Sequence, residues 1–299
     1  MYRATFLAAT LTLFATAAFA ADGTFDKTLT FSGAPTVLIS TGAGSIHVTS
    51  GQDNQLHVIG HVHVHSGFLS SNEEDTLKQI IAAPPIAQSG NTITIGHQGD
   101  SDLFRNVSID YDITTPRSTT LTAHTGSGPL EVNGIAGHVS AGSGSGSLHL
   151  SLANSSDVKA QTGSGSIRIE GLVGDLQAGT GSGSIEVAGS PTADWRLRTG
   201  SGSMRLHLAN NAKFTLDAST GSGSVHVDQP IMMQGSLNHH HVSGSVNGGG
   251  PAIHASTGSG DITINGSSTV GELNDNNGLH VPGATDCVEN PALAGCRKN

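Results

Sequence analysis

The stretch VKAQTGSGSIRIEGLVGDL, residues 158–176, decides the fold. Val158, Ala160 and Thr162 alternate with Lys159 and Gln161, the two-residue period of a strand with one buried face. Ile167 and Ile169 then alternate with Arg168 and Glu170 in a second strand. Thr162 and Ile167 are an odd number of residues apart, so they cannot both face inward along one straight strand. The chain therefore bends within Gly163-Ser164-Gly165-Ser166, where glycine tolerates the dihedral angles a corner needs. Leu172 and Gly174 carry it back to Leu176, where the pattern restarts.

Versions of this corner begin at Thr41, Thr125, Ser143, Thr162, Thr180, Thr199, Thr220, His241 and Thr257, and from Thr125 onward the steps are 18, 19, 18, 19, 21, 21 and 16 residues. A near-constant period of this length is the mark of stacked coils, none of which can bury its apolar face alone. The sequence predicts an all-β fold, a parallel β-solenoid (single-stranded β-helix) with coils of about 18–21 residues stacked in chain order. Strands leading into the corner put Leu121, Val139, Val158, Leu176, Trp195 and Ile253 in one inner column. Trailing strands do the same with Leu130, Leu148, Ile167, Ile185, Met204 and Ile262. One outward column reads Glu131, His149, Arg168, Glu186, Arg205, His226, which sets Glu186 between two arginines.

The ends read differently. Residues 1–20 have the form of a secretory signal peptide: Arg3, an apolar run through Leu7, Leu11, Leu13 and Phe14, then Ala18-Phe19-Ala20. Residues 21–120 form an N-terminal capping region with one coil at 37–48 and a short helix at 72–82, which Asn72 caps and Glu73, Glu74 and Asp75 favour. Residues 121–270 hold the regular coils. Cys287 and Cys296 are expected to close a disulfide loop in the tail 271–299, as suits an oxidising compartment.

The run Val107-Ser108-Ile109-Asp110-Tyr111-Asp112-Ile113, then Thr115-Pro116, then Leu121 to Gly128, followed by repeated Thr-Gly-Ser-Gly-Ser corners, resembles the bacterial adhesin family known as domain of unknown function 4097. The resemblance covers nearly the whole chain beyond residue 20. It implies a β-solenoid on envelope or secreted proteins and brings no catalytic residues with it.

His61, His63 and His65 share one strand face, joined by His57, while Val58, Val62 and Val64 face the other way. Imidazoles suit Zn or Cu, so these four are the candidate metal ligands. Their spacing along a strand, about 7 Å between alternate side chains, argues for solvent-facing histidines instead. His239-His240-His241 interrupts the repeat, with His241 in a corner Thr position, and is a second place to look for metal.

Thirteen Lys and Arg in no cluster, with a formal net charge of −10, exclude a nucleic-acid footprint. Serines lie between strands, outside the strand-to-helix frame of a nucleophile elbow. The composite expectation is a non-enzymatic adhesin-like or envelope interaction module, exported to the periplasm, cell surface or medium. It would bind a glycan or protein of the envelope and have no transmembrane segment once processed. A carbohydrate-active β-helix enzyme is the alternative, and a metal-binding envelope protein the second.

Overall fold

The computed structural model describes residues 21–65, 73–96, 102–229, 231–233 and 239–267. Residues 1–20, expected to be a signal segment, the expected helix cap Asn72, and the tail 271–299 with its expected Cys287–Cys296 disulfide lie outside the described residues. Within them the chain is almost all strand, joined in one 21-stranded sheet, with a helix at Glu73–Ala82 and a 3₁₀ turn at Asp102–Phe104. The sheet winds into a β-solenoid. Leading strands stack in parallel register, Leu121 on Val139 on Val158 on Leu176 on Trp195. Trailing strands stack likewise, Leu130 on Leu148 on Ile167 on Ile185 on Met204. All ten are at most 1% exposed, so the interior is one dry core shared by neighbouring coils.

The stack leaves chain order at both ends, which corrects the expectation of sequential coils. Coil 36–51 sits between 92–116 and 120–133: Val37 pairs with both Ile93 and Leu121, and Ile46 with both Tyr111 and Leu130. At the other end the last described coil, 252–267, inserts between 195–209 and 214–227. Ile253 pairs with Trp195 and Leu216, and Ile262 with Met204 and Val225. The repeats are near-identical in their pairing faces, so the periodicity that reveals the coils does not say which copy lies beside which. The copy beginning at His241 is not a coil. His241–Val246 runs antiparallel along Phe214–Ser222, because no alternating aliphatic strand leads into it.

The charged column changes accordingly. Glu186 stands in register between Arg168 and Arg205, yet its carboxylate lies 3.8 Å from Arg168 and 3.2 Å from His207, and Thr263 separates Arg205 from His226.

The corners work by a mechanism that the sequence pattern did not disclose. From Thr125 onward each corner threonine is buried and its hydroxyl donates to a glycine carbonyl of the adjacent coil: Thr125 to Gly44, Thr162 to Gly146, Thr180 to Gly165, Thr199 to Gly183, Thr257 to Gly202 and Thr220 to Gly260, all at 2.8–2.9 Å, whereas the half-buried Thr41 donates to the Ile109 carbonyl. The hydroxyl thus links coils at the point where the backbone leaves the ladder. Thr180→Val keeps the volume and strands the Gly165 carbonyl. We expect it to lower stability by about 1–2 kcal/mol, measured by urea unfolding. Thr180→Ser, which keeps the donor, should lose less.

Antiparallel strands edge the parallel stack. Gln55–Val64 lies between Val107–Pro116 and the outermost strand Ala21–Thr30, and Ile231–Met233 pairs with His241–Val246. They occupy edges on which another chain could otherwise add a strand. The helix buries Leu77 and Ile80 against the first of these pairs. Phe25 fills the space above Gly60 and meets Tyr111 edge-on, with ring centroids 6.4 Å apart.

Candidate functional site

Inward residues are consumed by the core, so function falls to the two outer faces. The trailing face carries the histidines singled out from the sequence. His57, His61, His63 and His65 do lie on one side of Gln55–Val64, with Leu56, Val58, Val62 and Val64 buried on the other. The flanking antiparallel strands bring carboxylates to them. His57 Nε2 is 2.7 Å from Asp26, His61 Nε2 3.2 Å from Asp112, and His65 Nε2 3.1 Å from the Ser108 hydroxyl. His63 lies between two acids, with Nδ1 2.8 Å from Asp22 and Nε2 3.2 Å from Asp110. Each ring is therefore directed at a different partner, and among the described residues no three His, Cys, Asp or Glu side chains converge as a metal cage. The acids come from strands far away in sequence, and antiparallel register is what single-sequence reading did not supply.

His239 and His240 are exposed in a turn, and His241 Nε2 lies 2.9 Å from Asp217 Oδ1. Asp217 also takes His254 Nδ1 at 3.3 Å. The His241 hydrogen bond, outweighing a burial penalty, and then His254 hold the Asp217 carboxyl below its ordinary range.

Asp110 is the most heavily bonded acid of the trailing face. Burial opposes its ionisation, but the Ser45 backbone N–H at 2.6 Å and hydroxyl at 2.7 Å, together with His63, more than compensate and hold its pKa below the ordinary 3.8. A depressed native value means that the stabilisation is present above 3.8 and is lost as pH falls through the native pKa. Asp110→Asn should therefore melt lower than wild type at neutral pH, with the gap closing in acid below 3.8. A gap that stays constant across that range would count against this account.

The leading face holds a groove of about 610 Å³. Its floor is Gly142 and Gly179, and its walls include Thr122, His124, Lys159, Gln161 and Arg198. The signal of the two glycines lies across the repeat, since the same outward position holds His124, Gln161 and Arg198 in the neighbouring copies.

The family model described as Toastrack DUF4097 matches residues 36–265. Among solved structures the chain is similar to a putative cell adhesion protein from Clostridium sporogenes, at 15% identity, covering 82% of this chain and 99% of that one with a TM-score of 0.37. It is also similar to a putative lipid binding protein from Parabacteroides distasonis (15%, 81% and 96%, 0.37) and a putative adhesin from Parabacteroides merdae (12%, 81% and 96%, 0.32). No functionally curated protein matches it. No helix among the described residues is long and apolar enough to cross a membrane.

Proposed function

The chain belongs to the Toastrack DUF4097 family, and on that footing we propose that it is an exported, non-enzymatic adhesin-like module that binds components of the bacterial envelope or surface. The observation that carries this reading is the register itself. In-phase stacking turns each outward position into a polar row over a shared packed core, as in Thr122, Ser140, Lys159, Gln177 and Arg196. Rows of modest contacts at fixed spacing add through effective concentration, which suits attachment to a repetitive surface.

Beads coated with the protein should retain isolated bacterial envelopes above beads coated with a size-matched control, and retention should rise steeply with coating density. Retention no better than the control at any density would end the proposal. So would turnover of an envelope polysaccharide, which would favour the enzyme instead.

A further inference from the structure

Within that adhesin-like reading, the leading-face groove assigns a ligand class. One row across its strands runs His124, Gly142, Gln161, Gly179, Arg198, a long side chain alternating with none. Neither glycine is required by the backbone, for neither has a positive φ. A Cβ on Gly179 would meet nothing nearer than the Arg198 carbonyl at 3.8 Å, an ordinary contact. On Gly142 it would meet only the tip of the His124 ring, Nδ1 at 2.7 Å, with backbone no nearer than the Gln161 carbonyl at 3.8 Å. The corner glycines differ: a Cβ on Gly165 would sit 2.0 Å from a neighbouring backbone oxygen. Glycine inside a strand costs roughly 0.5–1 kcal/mol against alanine, and it commonly marks a place where another molecule comes close to the backbone.

The chemistry around the openings is selective. Among the described residues Lys159 and Arg198 have no ion pair, and His124 and Gln161 have no side-chain hydrogen bond, although nearby Arg196 is matched by Asp194 at 3.6 Å. In a chain of net charge −10, unmatched cations beside an open groove are complementary to an anion. The exposed walls carry hydroxyl, amide, imidazole and cationic groups, with no exposed aromatic or long aliphatic side chain to hold an acyl chain or an apolar peptide. The strands beneath are paired on both sides, so no edge is free to take a peptide as an added strand. The two glycine windows lie two strands apart, about 9.6 Å, a spacing on the scale of a disaccharide repeat.

We propose that this groove binds an extended polysaccharide bearing uronic acids. The polysaccharide lies along the stacking axis, its rings over Gly142 and Gly179 and its carboxylates against Lys159 and Arg198. Hydroxyl groups of the sugar would use Gln161, Thr122 and Ser140.

The test is calorimetric titration of the purified protein with polygalacturonate oligomers and with neutral dextran oligomers of equal length. The wild type should bind the first and not the second. Gly179→Thr adds a good strand former where a Cβ fits, so it should melt no lower than wild type and yet lose affinity about tenfold or more. Lys159→Gln/Arg198→Gln should lose affinity comparably, while Lys78→Gln, on the helix, should bind as wild type does. Unchanged binding by a folded Gly179→Thr, or by the double variant should the first not fold, would overturn the proposal. A wild type that ignores the uronate oligomer would overturn it too. In that event retention of envelopes by coated beads would leave the adhesion reading standing, and its absence would remove both.

Discussion

A chain cut after Gly250 is expected to lose much more than the coil it lacks. Coil 252–267 lies inside the stack, so its removal uncovers one face of 195–209 and takes the parallel partner from 214–227. Trp195, Leu197, Met204 and Leu206, all fully buried, would face solvent on that side, and the Thr220 hydroxyl would lose the Gly260 carbonyl. At about 1.5–3 kcal/mol for each large apolar side chain exposed, the loss approaches the whole stability of an ordinary domain, roughly 5–15 kcal/mol. Hydrogen exchange should show residues 195–227 unprotected, while 121–170 keeps its protection. A chain cut after Ser267 is the control that separates loss of coil 252–267 from loss of the residues beyond it, and residues 195–227 should be better protected in it than in the shorter chain. The outcome that would defeat this prediction is re-docking: because the copies are alike, coil 214–227 could close directly onto 195–209, with a melting temperature little changed.

Gly165→Val is the second large effect. A Cβ at this position would lie 2.0 Å from the Gly146 carbonyl oxygen and 2.4 Å from its carbon, so the two coils would have to separate at the corner. That separation would also break the hydrogen bond from the Thr162 hydroxyl to the Gly146 carbonyl, which joins the same two coils. The combined cost should be about 3 kcal/mol or more, or roughly 10 °C in melting temperature for a chain of this size. Gly179→Val, where a Cβ would meet nothing nearer than the Arg198 carbonyl at 3.8 Å, is the internal comparison and should be nearly neutral. If both variants melt alike, steric stacking is not what fixes glycine at the corners.

The difference between those two glycines shows where sequence reading reached its limit. Alternation of Val158, Ala160 and Thr162 against Lys159 and Gln161 exposed the strand and its buried face, and the repeat exposed the coils. The corner was attributed to glycine's freedom of dihedral angle. Gly44, Gly202, Gly223 and Gly260 do take positive φ at the matching corner position, but Gly163 and Gly165 do not, and there the carbonyl of the preceding coil is what excludes a side chain. Such contacts between copies leave no trace in one copy's pattern. For the same reason the neighbours of His57, His61 and His63 went unread: Asp22, Asp26, Asp110 and Asp112 reach them through antiparallel pairings of strands up to about fifty residues away. The helix, by contrast, was visible from its acidic first turn and appears at Glu73–Ala82.

The tucked position of the outermost sequence copies bears on how the molecule carries load. In a solenoid wound in chain order, tension at one terminus peels off the end turn, breaking one ladder at a time. Here a pull on residue 267 acts on Ile262–Ser267, which is bonded to Met204–Ala209 on one side and Val225–Val227 on the other. A pull reaching Thr36–Ala43 likewise meets ladders on both flanks. Extraction of either tucked coil therefore requires two rows of hydrogen bonds to fail together, so each should hold until a threshold force and then yield abruptly.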